Sequence, residues 1–116
     1  MGPFHVMGHL TGPTGRKEEV EFLVDTGATL SVVPRSLAER LELKSARSQR
    51  VVIADGQRDV WPVAEARLAL NSDEITTPCF IAPDGPPLLG AVALESLFLA
   101  VDPVGKRLIP VDGFVG

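Results

Sequence analysis

Residues 22–28 read Phe22-Leu23-Val24-Asp25-Thr26-Gly27-Ala28, an apolar run that leads directly into Asp-Thr-Gly. Apolar side chains at positions 20, 22 and 24 alternate with those at 21 and 23, which predicts a β-strand with one buried face. A carboxylate at the end of a buried strand is costly unless something stabilises it. Thr26 brings a hydroxyl group, and Gly27 permits a tight turn and a close backbone approach.

Asp-Thr-Gly by itself is also typical of an ordinary turn, because Asp and Gly both favour turn conformations. The residues that follow favour a functional site. Residues 29–33 form a second β-like run that ends at Pro34. A short helix is predicted from residue 35 to about residue 41, because proline suits a first helical turn and Leu37 and Leu41 share one face.

Two further features point the same way. Leu88-Leu89-Gly90-Ala91 precedes a predicted helix over residues 92–97, where Leu94 and Leu97 have helical spacing. Apolar runs at 51–54 and 60–63 flank Asp55-Gly56-Gln57, which strongly predicts a β-hairpin. Its second arm is predicted to run to residue 70 and to be an edge or bent strand at Pro62. Residues 45–49 are predicted to be a polar connection into the hairpin.

The rest of the chain adds strands and turns. Strands are predicted over residues 4–10, 18–24 and 75–81, and a last hairpin over residues 99–102 and 107–111. The prediction is therefore an all-β protein with two short helices.

In this order, the three features resemble the retropepsin-like, or retroviral-type, branch of the aspartic proteases over residues 20–99. The resemblance implies a mainly antiparallel acid-protease fold, a half-barrel in which residues 51–63 are the flap hairpin that closes over substrate. It implies that Leu88, Leu89 and Gly90 pack beside the catalytic turn. The single domain is expected to cover residues 1–116. It is expected to be a cellular or bacterial member, because the flap and the Ala-Val-Asp-Pro-Val-Gly stretch at residues 100–105 resemble small cellular members more than viral ones.

Peptide hydrolysis at such a site needs two carboxylates and one water molecule, and no metal or cofactor. Two carboxylates held about 3 Å apart share one proton, so that one acts as base and the other as acid. The chain has a single Asp-Thr-Gly, and the Asp-Gly pairs at 55, 84 and 112 lack the intervening hydroxyl residue. We therefore expect a symmetric homodimer that acts on a peptide or protein substrate.

The resemblance also implies residue roles. Asp25, Thr26 and Gly27 would be the catalytic residues, with Thr26 bonding across the two-fold axis and the Gly27 N–H supporting the carboxylate pair. The residues that would touch substrate are Ala28 and Thr29 beside the motif and Ala54, Asp55 and Gly56 at the flap tip. Viral members usually carry an acid at the position of Thr29, whereas Thr29 is uncharged.

A second hypothesis is a catalytically weak or inactive dimerisation or peptide-binding module with the same fold. The intact motif argues against it, since a structural domain has no need of a carboxylate at that place. A domain cut from a longer precursor is a third possibility, for which the sequence shows no flanking domain.

Composition limits the other functions. A chain of 116 residues with 45% apolar residues fits one folded domain. No apolar run approaches the roughly eighteen residues of a membrane span, and residues 1–5 are not a secretory signal. The Met1-Gly2 start does not predict myristoylation, because Val6 stands where Ser or Thr is required. The net charge of -4 and the scattered basic residues argue against nucleic acid as a partner.

Three other residue types have ordinary interpretations. Cys79 is the one cysteine, which is compatible with the cytoplasm and predicts a small core side chain. His5 and His9 on one strand would lie about 13 Å apart, too far to share a metal ion. Trp61 is predicted either to cover an edge strand or to pack beneath the flap and line a subsite.

Overall fold

The computed structural model describes residues 3–116, so the predictions made on Met1 and Gly2 lie outside the described residues. Within that range it has nine strands and two short helices. The strands are β1 His5–Thr11, β2 Lys17–Val24, β3 Ser31–Pro34, β4 Ser45–Val52, β5 Arg58–Leu70, β6 Asp73–Ala82, β7 Leu88–Leu89, β8 Leu99–Asp102 and β9 Arg107–Pro110. The helices are α1 Arg35–Arg40 and α2 Ala91–Ser96.

Seven strands form one sheet in the order β1-β2-β7-β3-β6-β5-β4, and β5 also pairs with β1. Strands β8 and β9 form a separate two-stranded hairpin. Two pairs, β2–β7 and β3–β6, are parallel, and the other pairs are antiparallel. The predicted fold class, mainly antiparallel β with two short helices, is confirmed.

The core lies where the predicted apolar faces meet. Val20 and Phe22 of β2 are buried while Glu21 between them is exposed, as the alternation predicts. Each helix closes the core with a short apolar face, which ends at Leu41 for α1 and at Leu97 for α2. Cys79 of β6 is fully buried among these side chains, so its predicted core role is confirmed.

Two local predictions are wrong. Residues 45–49 belong to strand β4, which pairs antiparallel with β5, although seven of its eight residues are exposed. Backbone pairing at the edge of a sheet needs no apolar alternation, which is why the sequence pattern missed this strand. Strand β3 begins at Ser31 instead of residue 29, because the Thr29 carbonyl accepts the N–H of Val92 in α2.

Pro62 lies where the sheet can tolerate it. It pairs with Ser48 of β4, whereas the pairing of β5 with β6 begins one residue later, at Val63. The long arm predicted from residue 58 to residue 70 is β5, and the proline stands on its edge-facing stretch as expected.

In the described part of the chain, neither helix has the length and hydropathy required to cross a membrane.

Candidate active site

The motif at residues 25–27 lies directly after β2, held by a neighbouring strand. The backbone N–H of Asp25 donates to the carbonyl of Leu89 in β7, at 3.0 Å. Within the turn, the N–H of Ala28 donates to the Asp25 carbonyl at 3.2 Å. The strand that carries Asp25 is therefore fixed by the Leu-Leu-Gly segment that the sequence singled out.

The Asp25 carboxylate has a backbone partner of its own. Its Oδ1 accepts the N–H of Gly27 at 2.9 Å, and the Asp25 residue is partly buried. A Cβ placed on Gly27 would lie 3.2 Å from the same oxygen. A residue with no side chain at position 27 therefore keeps the space beside the carboxylate open.

The loop after the motif is tied to α2 by three further hydrogen bonds. The N–H groups of Ala91 and Val92 donate to the carbonyls of Ala28 and Thr29, at 2.8 and 3.0 Å. The N–H of Gly90 donates to the hydroxyl of Ser31, at 3.0 Å. These bonds join segments distant in sequence, and they hold the residues on both sides of the motif in one place.

The hydrogen bond between Gly90 and Ser31 is a buried one. Ser31 is 1% exposed, and its hydroxyl gives a buried N–H its partner. A Cβ on Gly90 would lie 2.5 Å from the carbonyl carbon and oxygen of Leu30, so only glycine fits there. Sequence reasoning missed Ser31, although a hydroxyl residue within an otherwise apolar run was an available signal.

The predicted hairpin is formed by β4, β5 and the turn at residues 53–57, and we call this unit the flap hairpin. The N–H of Gly56 donates to the Ile53 carbonyl at 2.8 Å, and the Ile53 N–H donates to the Gln57 carbonyl at 2.9 Å. Gly56 has a φ of +87°, and the Asp55 carboxylate accepts the Gln57 N–H at 2.9 Å. A three-residue hairpin loop that ends on a left-handed glycine has this pattern.

A cleft of about 690 Å³ runs between the motif and the flap hairpin. Such a volume is within the usual range of ligand pockets. Five of the predicted site residues line it, namely Asp25, Gly27, Ala28, Thr29 and Ala54. Seven apolar residues complete most of its wall, namely Val32, Val51, Val52, Ile53, Trp61, Phe80 and Leu88.

Three predicted site residues lie outside this lining. Thr26 is exposed beside the carboxylate, and Asp55 and Gly56 are exposed at the turn beyond Ala54. Arg50 borders the cleft and was not predicted, since it lies between the predicted connection at residues 45–49 and the hairpin arm at residues 51–54. Phe80 was also missed, because its place depends on how β6 pairs with β3 and β5.

Trp61 was predicted either to cover an edge strand or to line a subsite beneath the flap, and its contacts distinguish the two. It lines the cleft, and its ring packs edge-to-face on that of Phe80, with centroids 6.2 Å apart. Its indole N–H donates to the carboxylate of Asp59 at 3.0 Å. The Trp61 side chain therefore lies on the cleft side of the flap hairpin rather than on its outer surface.

Within residues 3–116, no cluster of three or more His, Cys, Asp or Glu side chains has the spacing to hold a metal ion.

Known proteins resemble this chain in sequence pattern and in fold. The aspartyl protease family model matches residues 8–93, which run from within β1 to within α2 and include Asp25 and the flap hairpin. No curated protein has a sequence with a significant match to this chain.

Solved structures show the same fold. EIAV protease, solved with an inhibitor, superposes with a TM-score of 0.67 at 18% identity, covering 93% of each chain. A retropepsin-like aspartic protease from Rickettsia conorii has a TM-score of 0.59 at 19% identity, over 92% of this chain and 79% of that one. The retroviral protease-like domain of Ddi1 from Leishmania major has a TM-score of 0.59 at 17% identity, over 98% and 91%.

The family match covers well over half of the chain and contains the loop that carries the carboxylate. The structural matches cover nearly all of it and share its fold. This chain therefore belongs to the aspartyl protease family and has the retropepsin-like fold.

Proposed function

We propose that the protein is an aspartic endopeptidase whose active site forms from two Asp25 carboxylates in a symmetric homodimer. One observation carries the proposal. The Asp25 carboxylate, supported by the Gly27 N–H, borders an apolar cleft that the flap hairpin covers from the other side. An extended peptide with apolar side chains has the chemistry to occupy such a cleft.

The reaction requires both carboxylates in different protonation states. The ionised Asp25 takes a proton from water as the water oxygen bonds to the peptide carbonyl carbon. The protonated Asp25 of the other copy gives its proton to the carbonyl oxygen. When the tetrahedral intermediate collapses, the C–N bond breaks and the leaving nitrogen takes the proton held by the first carboxyl. The second carboxylate takes back a proton from a hydroxyl of the intermediate, which becomes the new carboxyl group, and the pair returns to its starting state. Each such acid or base role typically contributes about a hundred- to ten-thousand-fold.

The need for a second copy follows from the count of suitable residues. One chain supplies one Asp-Thr-Gly. A two-fold dimer places the same residue of both copies at the axis, which gives the pair of carboxylates without a second motif. Burial of further surface also helps a domain of this size, because small domains bury a modest fraction of their surface.

The proposed dimer also gives roles to the predicted site residues other than Asp25 and Gly27. Thr26 is exposed at the turn, where its hydroxyl can bond to the matching loop of the second copy. Ala28 and Thr29 would contact the substrate backbone from below, and Ala54, Asp55 and Gly56 would contact it from the flap hairpin.

Replacing Asp25 by Asn tests the proposal. We expect Asp25→Asn to lose cleavage of a mixed peptide library by at least about a thousandfold, because neither general acid nor general base remains. Mass spectrometry of new termini between acidic and neutral pH measures cleavage, and sedimentation measures the dimer, which we expect to persist. Asp84→Asn, in an exposed loop, is the control and should cleave like wild type. Equal cleavage by Asp25→Asn would disprove the role of Asp25.

Mixing the two proteins tests the shared site. We mix equal amounts of wild type and Asp25→Asn and let the subunits exchange. If a mixed dimer is inactive, about a quarter of the dimers are wild-type pairs, and the mixture has about a quarter of the activity of wild type at the same total protein concentration. Activity that falls only to half would contradict a site made from two copies. Folded, dimeric wild type with no cleavage would favour the peptide-binding module instead.

A further inference from the structure

The flap hairpin has an inner and an outer face that the strand register separates. Val51 pairs with Asp59 and Gln49 with Trp61, so these four side chains share one face. The Val60 side chain belongs to the opposite face and is 60% exposed, whereas Val51 is 9% exposed. Trp61 therefore projects from the inner face, toward the cleft.

The cleft floor opposite this face is one row of apolar residues across three strands. Val32 of β3 pairs with Leu88 of β7 on one side and with Phe80 of β6 on the other. All three line the cleft. The row begins beside Leu89, which binds the Asp25 backbone, and it ends at Phe80, on which the Trp61 ring packs.

The orientation of the Trp61 ring is fixed from two sides. The Asp59 carboxylate accepts the indole N–H at 3.0 Å and also accepts the Val60 N–H at 2.8 Å, which holds the carboxylate itself in place. The Phe80 ring meets the indole at an interplanar angle of 76°. A large flat side chain held in this way presents apolar surface at low entropic cost to a ligand.

We infer that Trp61 is a specificity-determining residue, whose ring closes an apolar subsite with Phe80 and Val32 and selects a bulky apolar substrate side chain. Asp59 is its positioning residue. The inference rests on the proposed peptidase function. It specifies which residue recognises a substrate side chain, and at which position along the peptide.

The sheet order gives the position along the substrate. Strands β2 and β6 are three strand spacings apart, about 14 Å measured along the sheet, while an extended peptide advances about 3.3 Å per residue. Asp25 lies at the end of β2, and the Trp61 subsite lies over β6. About 14 Å corresponds to about four residues of extended peptide. The side chain selected by Trp61 is therefore not next to the scissile bond but two or more residues away from it.

Cleavage profiles of matched variants test this inference. In a mixed peptide library, we expect Trp61→Ala to cut bulky apolar sequences at least about tenfold less efficiently in kcat/KM, with the preference lost at one position two or more residues from the cut. Trp61→Phe should still select at the same substrate position but prefer a side chain of different size there. Asp59→Ala should broaden the range of side chains accepted at that position. Val60→Ala is the control, since its side chain is on the outer face, and its profile should match wild type.

Fluorescence tests the placement without catalysis. Trp61 is the single tryptophan of the chain, so emission from the Asp25→Asn variant reports on this residue alone. Titration with the peptide that wild type cleaves best should shift its emission to shorter wavelength, as ligand replaces water against the ring.

The outcomes separate the two proposals. An unchanged cleavage profile in Trp61→Ala, or a change confined to the residues that flank the cut, overturns the inference while cleavage itself upholds the peptidase. If calorimetry shows that a peptide binds but the Trp61 emission does not change, the inference is overturned as well. Absence of wild-type cleavage contradicts the proposed function, and an emission shift with library peptides would then still support Trp61 as part of a binding cleft.

Discussion

At the scale of single residues, the site depends on small groups that fit closely. Gly27 leaves room beside the Asp25 carboxylate and gives it a hydrogen bond, and Gly90 lets α2 approach the Leu30 backbone. Ser31 supplies the hydroxyl that pairs with the buried Gly90 N–H. The family resemblance implied the hydrogen bond at Gly27, which lies within the contiguous Asp-Thr-Gly, whereas the contact between Ser31 and Gly90 joins residues 59 positions apart.

Ser31→Ala tests how much the second arrangement contributes. Removal of the hydroxyl leaves a buried N–H unpaired, so we expect the free energy of unfolding to fall by about 1–3 kcal/mol. Denaturant unfolding followed by circular dichroism measures this. Ser48→Ala, at an exposed position of β4, should change the value by less than about 0.5 kcal/mol. Equal stability of the two variants would show that the Ser31 hydroxyl contributes little.

At the scale of elements, the flap hairpin combines a predictable turn with an unpredicted strand. The Asp-Gly pair and the apolar runs beside it predicted the turn and the long β5, since turn chemistry and alternation are local. Strand β4 is exposed and polar along most of its length, so its pairing with β5 decides its structure. The face on which Trp61 lies also follows from that pairing.

Gly56 provides the test at this scale. Its φ of +87° is a left-handed conformation, so Gly56→Ala should destabilise the turn by about 1 kcal/mol. Gly56→Asn is the matched variant and should lose less free energy of unfolding than Gly56→Ala, since Asn tolerates positive φ better than other residues with a side chain. Thermal unfolding gives the stability of both, and KM for a defined peptide reports on the flap. Equal losses for Ala and Asn would contradict a conformational cause.

At the scale of the whole molecule, one core supports both halves of the site. The first half contributes the loop at residues 25–29, and the second contributes β7 and α2, which bind that loop. The chain supplies one carboxylate to a reaction that uses two, so the proposed working unit is larger than the chain. Outside the sheet, the exposed apolar Phe114 and Val115 follow β9 and leave surface that a second copy could cover.

Cys79 reports on the stability of this core. Burial raises the pKa of its thiol from 9.0 to about 12. A folded-state pKa above the unfolded value means that the neutral thiol stabilises the fold fully below pH 9.0, and that this contribution is lost as the pH rises through about 12. We expect the free energy of unfolding to fall more steeply over that interval in wild type than in Cys79→Ala, measured by denaturant titration.

A second readout uses the same thiol. A thiol reagent should label native Cys79 only at the rate at which the molecule opens, because the side chain is fully buried. Rapid labelling of the folded protein, at the rate seen in denaturant, would contradict the buried position.

Local spacing and turn chemistry indicated the motif, the order of the elements, both short helices and the flap turn, because each depends on residues that are close together in the chain. Three features came from the folded molecule: residues 45–49 are a strand, Ser31 binds Gly90, and Phe80 and Trp61 meet in the cleft beside Asp25. These features arise from pairing between distant segments. Local composition does not encode the register of such pairs, which follows from the way the whole core packs.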